Sequence, residues 1–301
     1  MEKSGEGQQP FLRAKGLSGL AFLYMSLGDN LNGKRAAEES VALFRQSQDK
    51  SGLAYALVIV AFPLEFLGER LQAEAALMEG IAIARSEKNA FVLASALNNL
   101  TRVTLDLHGD TNAAERYADE AIRVSREAGI EWTVATAHEM KGNIAFHRKE
   151  YDEARALIEK AVQAYREVGA HFNVIIAKSS LAHMERLSGN YAIALDIYRE
   201  TIVAFRDIGQ MGAVAHQLEC FGFIALAQDH PERTLQLFAA ANALREKVGT
   251  PMTPDEQIYF DEQLKGMRDE LNSMQFDSIW SRGYAMTMEQ AIDFALEEIN
   301  D

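Results

Sequence analysis

The segment GDNLNGKR, at 28–35, sets Gly28, Gly33 and Lys34 at the separation of a phosphate-binding loop, where backbone N–H groups cradle a phosphate that the lysine also reaches. Arg35 stands where magnesium coordination needs a hydroxyl, and the segment falls between helical stretches with no strand before it, so it reads as a hairpin turn. His138 and Glu139 begin like the helix of a zinc protease, but Gly142 occupies the place of the second histidine. The seven histidines, His108, His138, His147, His171, His183, His216 and His230, lie at no metal-ligand spacing from a carboxylate or a cysteine and read as surface or groove residues. Cys220 follows Glu219 in an apolar helical stretch and reads as a buried structural thiol. No Gly-x-Ser-x-Gly elbow occurs, and the methionines, scattered through helical stretches, read as core filler. The expectation is a protein that is not an enzyme, with no catalytic residue, metal or cofactor.

Composition narrows the classes further. Of 301 residues, 48% are apolar, ample for a sizeable core. The 44 acidic against 30 basic side chains give a charge of -14, which repels phosphate, and no local basic patch offsets it, so no direct nucleic-acid binding is expected. A single cysteine forms neither an intramolecular disulfide nor a paired-cysteine zinc site and fits a reducing, cytoplasmic setting. The longest nearly uncharged apolar stretch, 53–64, is too short to cross a bilayer, which needs about 20 residues. Arg13 and Lys15 interrupt the first apolar residues, so no signal peptide is expected.

A repeat organises the chain. Gly129, Gly169, Gly209 and Gly249 follow one another at intervals of 40 residues, and the same step backwards lands on Asn89 and Asp49. Glycine, asparagine and aspartate best tolerate the left-handed conformation, so all six are expected to close helices. A second set of turns lies between them: LGD at 27–29, LGE at 67–69, HGD at 108–110, KEY at 149–151, SGNY at 188–191 and DHP at 229–231. Apolar residues recur at helical spacing between the two sets, as in Ala154, Ile158, Ala161 and Tyr165, so each unit is expected to be a helical hairpin. The third unit carries one extra residue near its turn, which shifts the phase of its first helix, and Pro63 is expected to kink the first helix of the second. Thr253, Pro254 and Glu256 form a capping box, repeated by Thr287 and Gln290, and Phe276, Ile279 and Trp280 between them would cover the bare end of a stack.

These units resemble tetratricopeptide repeats. An alanine, a bulky residue four later and a small one three beyond form the second-helix signature, seen in Ala154, Ile158, Ala161, in Ala194, Tyr198, Thr201 and in Thr234, Phe238, Ala241. Small first-helix residues match at Ala21, Ala61, Gly142, Ala182 and Gly222. The period of 40 departs from the family's 34, and the large aromatic early in the first helix is mostly missing. Together with the tail from LFAAANALREKVGTPMTPDEQ to AMTMEQAIDFALEE, the longer period is similar to the C-terminal sensor arrays of large bacterial signalling ATPases and LuxR-type regulators.

The resemblance implies an all-α, right-handed superhelical solenoid of about six hairpins over 11–249, preceded by a tail at 1–10 and closed by a helical cap at 250–301. It also implies a concave face lined by first helices. The candidate groove residues on that face are Asn98, Arg102, Glu139, Asn143, His183 and Arg186. The arginines would bind an anionic group, Asn143 and Glu139 would orient it, and an ion pair with Asp106 or Glu139 is the competing role. A solvated face is the other competing reading, since exposed helix stripes are polar by default. The implied function is a non-catalytic interaction or effector-sensing module of a bacterial signalling or transcriptional regulator, with a protein, peptide or small effector as partner and no membrane partner. ATPase and DNA-binding domains would lie outside this chain. The alternative is a free-standing adaptor or co-chaperone that grips peptides in the same groove.

Overall fold

The computed structural model describes residues 8–297, so most of the expected tail at 1–10 lies outside the described residues. The described residues form fifteen helices and no strand. Twelve helices pair into six hairpins: α1 (Gln8–Ser26) with α2 (Asn30–Ser47), α3 (Lys50–Phe66) with α4 (Arg70–Ser86), α5 (Ala90–His108) with α6 (Thr111–Ala128), α7 (Glu131–His147) with α8 (Tyr151–Glu167), α9 (His171–Leu187) with α10 (Tyr191–Asp207), and α11 (Met211–Ala227) with α12 (Pro231–Val248). Three more follow: α13 (Pro254–Glu270), α14 (Ser273–Tyr284) and α15 (Met288–Leu296). None of the described helices is long and apolar enough to cross a membrane. The chain divides into two compact units, 1–177 and 178–301.

The hairpins are set by what ends each helix. Gly129, Gly169, Gly209 and Gly249 take the left-handed conformation, with φ of 68°, 72°, 76° and 68°. Asn89 and Asp49 do not. There the left-handed residues are Lys88 and Gln48, and the Asn89 and Asp49 side chains instead accept hydrogen bonds from the Val92 and Gly52 N–H groups, as N-caps of the following helices. The cause is the extra residue of the third hairpin: α5 has 19 residues against 17 for α3 and α7, so a step of 40 across it lands one position late. In the later hairpins, where glycine holds the left-handed position, Ile130 and Gln210 begin α7 and α11 without a side-chain cap.

Close approach within a hairpin depends on small residues. A Cβ added at Gly142 would stand 2.6 Å from Ile158 Cδ1 of α8, and one at Gly222 would stand 2.5 Å from Phe238 Cε1 of α12. The second-helix signature residues Ala154, Ile158 and Ala161 are buried, as are Ala194, Tyr198 and Thr201 in α10. Pro63 falls in the last turn of α3, and its carbonyl accepts from Leu67 N–H where the helix ends. The segment at 28–35 is a turn at Gly28 followed by the start of α2, with Lys34 Nζ 2.6 Å from Glu69 Oε1.

In the first unit α1, α3, α5 and α7 lie side by side as one layer, while α2, α4 and α6 each bridge to the next first helix. Its core joins Val58, Leu77, Val92, Leu97 and Leu100. In the second unit α14 lies against α12 so closely that a Cβ at Gly283 would meet the Gln236 carbonyl at 2.3 Å. Phe276 and Ile279 of α14 bury with Leu235 and Met267, and Phe260 of α13 buries with Phe238. Both expected capping boxes are formed, at the starts of α13 and α15.

Candidate functional sites on the first helices

Because first helices adjoin in the first unit, side chains on their shared face meet across hairpins. Arg102 of α5 donates to Glu65 of α3 through Nε at 2.7 Å and Nη2 at 2.9 Å, a bidentate pair, and its guanidinium lies 5.4 Å from the centre of the Phe62 ring. Two of the five N–H donors of Arg102 are used this way. Burial, and then the charge of Glu65, pushes the Asp106 carboxyl up against the pull of Arg102. On α7, Glu139 is buried and accepts from the Tyr165 hydroxyl at 2.8 Å. Burial pushes its carboxyl up, opposed by that hydrogen bond and by Arg102. Asn98 Nδ2 donates to the Thr133 carbonyl at 3.1 Å, whereas its Oδ1 is buried with no hydrogen-bond partner among the described residues. Asn143, one turn beyond Glu139, is partly exposed. The neighbouring His138 is held down to about 4 by burial and by Lys160, Arg126 and Lys141.

The second unit holds a different constellation on α9 and α11. His183, His216 and Cys220 each offer a ligand atom, and these atoms lie within 4.8 Å of one another. Cys220 Sγ is 3.7 Å from His216 Nε2, and the opposite ring nitrogen, Nδ1, is 3.4 Å from Glu256 Oε1 and 3.7 Å from Glu219 Oε2. Glu219 is gripped in turn by Arg245 of α12, at 2.5 and 2.8 Å. Although burial opposes its ionisation, Cys220 is held well below the usual thiol range by the charge of His216 and by hydrogen bonds from both histidines, and the thiolate raises His216 in return. Arg186 lies over Phe223, 5.1 Å from the ring centre. His183 Nδ1 and Arg186 Nε are buried without a hydrogen-bond partner among the described residues.

The six residues expected to line one groove therefore fall into two sets, Asn98, Arg102, Glu139 and Asn143 in the first unit and His183 and Arg186 in the second. Glu65, the partner of Arg102, was not foreseen, because it lies one hairpin back near a turn and outside the stripes. The reading that the histidines lie at no metal-ligand spacing from a carboxylate or a cysteine is corrected. His216 and Cys220 are one helical turn apart on one face, a separation visible in the sequence, and His183 joins them from the preceding hairpin.

Residues 133–207 match the tetratricopeptide repeat family, and the overlapping stretches 5–65, 55–106 and 92–148 match the family described as anaphase-promoting complex subunit 5. No curated protein sequence matches the chain. Among solved structures, a Rap protein complexed with competence and sporulation factor superposes with a TM-score of 0.62 at 12% identity, over 88% of this chain and 77% of that one. Aspartyl phosphate phosphatase F from Bacillus subtilis gives 0.57 at 14% identity, over 79% and 61%. BtubC from P. vanneervenii gives 0.52 at 14% identity, over 76% and 93%. At these identities the likeness is one of fold: helical hairpins arrayed as in tetratricopeptide repeats.

Proposed function

We infer that the chain is a non-catalytic interaction module that binds a peptide or a small effector on its first-helix layer. The observation that carries this is the row Glu65, Asn98, Arg102 and Glu139 on α3, α5 and α7, three buried polar groups and one half-buried guanidinium where helix packing alone would place apolar side chains. Burying such groups costs stability even when they are paired, and a polar face kept at that cost is suited to recognition. In this reading Asn143 takes hydrogen bonds from a ligand backbone, Arg102 turns its unused donors to an anionic group, Glu139 orients it, and Asn98, itself buried, ties α5 to α7 through the Thr133 carbonyl. His183 and Arg186 belong to the second unit. A protein of the same fold, Rap, is complexed with competence and sporulation factor, which supports a bound factor as the kind of partner.

The finer assignment is to a bacterial signalling or transcriptional regulator, cytoplasmic, with ATPase and DNA-binding domains outside this chain. It rests on the 40-residue period and on the C-terminal sequence. Residues 11–249 are then the repeat array and 250–301 its cap. The charge of -14 favours a protein or peptide partner over nucleic acid.

A random linear peptide library displayed on phage tests the reading. Peptides selected on the whole chain should lose at least about tenfold in affinity for the Asn143→Ala variant, equivalent to about 1.4 kcal/mol. Asn143 suits the purpose because it is partly exposed, so its replacement leaves the fold intact. Selected peptides that bind the variant as tightly as the parent would refute the site.

A further inference from the structure

We propose that His183, His216 and Cys220 form a binding site for a borderline divalent metal ion of the zinc class. Two imidazoles and a thiolate are a donor set that such ions favour over magnesium or calcium. The geometry suits it. Zinc–sulfur and zinc–nitrogen bonds of about 2.3 and 2.0 Å at a tetrahedral angle set sulfur and nitrogen about 3.5 Å apart, against the 3.7 Å between Cys220 Sγ and His216 Nε2. All three ligand atoms already lie within 4.8 Å of one another, so small side-chain rotations complete the set.

The surroundings carry a second mark of a metal site. A histidine that ligates through one ring nitrogen almost always offers the other to a carboxylate, which fixes the ring. His216 does this: Nε2 faces the thiol, and Nδ1 faces Glu256 at 3.4 Å and Glu219 at 3.7 Å. Because Arg245 pairs with Glu219, Glu256 is the carboxylate left to face the cluster, and Arg186 is the positive charge beside it. Two buried polar atoms beside the cluster, His183 Nδ1 and Arg186 Nε, lack hydrogen-bond partners among the described residues, as expected where a bound species completes the hydrogen bonding. The protein supplies three ligands, so the fourth position is left to water or to an anionic group that Arg186 would hold. Side-chain exposure of 30% at His216 gives the ion a way in, while Cys220 is buried beneath it.

The test is cobalt(II) titration of the full chain, made without a histidine tag and freed of metal. Binding should produce a thiolate-to-cobalt charge-transfer absorption that saturates at one ion per chain and is displaced by zinc. His183→Gln and His216→Gln should each weaken binding at least a hundredfold, Glu256→Gln about ten- to a hundredfold, and Cys220→Ser should abolish the band. If Cys220→Ser fails to fold, the two histidine variants, whose rings are partly exposed, carry the test alone. A folded protein that shows no charge-transfer band with cobalt in excess overturns the proposal. A band of unchanged affinity in both histidine variants overturns it equally.

Discussion

Arg102 and Glu65 face each other from α5 and α3 with two parallel hydrogen bonds of 2.7 and 2.9 Å, tying the third hairpin to the second across the first-helix layer. Glu65 is nearly buried and Arg102 only partly, so removing the arginine strands a carboxylate in a low-dielectric place. Arg102→Ala should destabilise the protein by about 2 kcal/mol, below the about 3–5 kcal/mol typical of wholly buried pairs. The Arg102→Met, Glu65→Leu double variant should recover most of that loss. Urea denaturation measures both, and a single variant as stable as the parent would mean that the pair contributes nothing.

Gly142 should not tolerate bulk. Leucine there drives its side chain into Ile158 and the Ala154 carbonyl and should cost about 1–3 kcal/mol by overpacking. At Gly16 of α1 an added Cβ meets nothing within 4 Å, so Gly16→Leu should leave the melting temperature unchanged or raise it. Equal melting temperatures for the two leucine variants would contradict the close seam between α7 and α8.

His138 should make stability depend on pH in a particular window. Its folded value of about 4 lies below the ordinary 6.5, so between those limits the unfolded chain binds a proton at this position and the folded chain does not. The contribution of His138 is full above pH 6.5 and is lost as pH falls toward 4. Glu139, with its raised carboxyl, works the other way: its contribution is present below the ordinary 4.5 and lost as pH rises through the folded value. His138→Gln leaves Glu139 in place, so it should flatten the fall in unfolding free energy between pH 6.5 and 4. An unchanged slope would show that His138 titrates normally in the folded state.

Ending the chain after Gly249 should expose Leu235 and Phe238, which α13 and α14 cover, and cause association. Light scattering that finds the shortened chain monomeric would count against α13–α15 as a cap.

The repeat was legible in the sequence because helix ends demand particular residues. Gly129, Gly169, Gly209 and Gly249 mark left-handed positions that few other residues adopt without strain, and Thr253 with Glu256 marks a helix start. Asp49 and Asn89 fall one position after the left-handed residues because the third hairpin carries an extra residue, and aspartate and asparagine serve at both ends of a helix, so residue type alone does not distinguish the two roles. What joins residues on different hairpins was less legible. The Glu65–Arg102 pair spans 37 positions, and the approach of His183 to Cys220 depends on how helices stack, which a one-dimensional pattern does not contain. His216 and Cys220 were within reach, since a separation of four on a helix places two side chains on one face.

The most direct measurement of the binding role is the side-chain amide nuclear magnetic resonance of Asn98 and Asn143 during titration with a selected peptide. Gln163, exposed on the second helix α8, serves as the internal reference. Binding on the first-helix layer predicts that the Asn98 and Asn143 signals move and saturate together while Gln163 stays still. Movement at Gln163 with both asparagines unchanged would place the ligand on the opposite helices and contradict the proposed function.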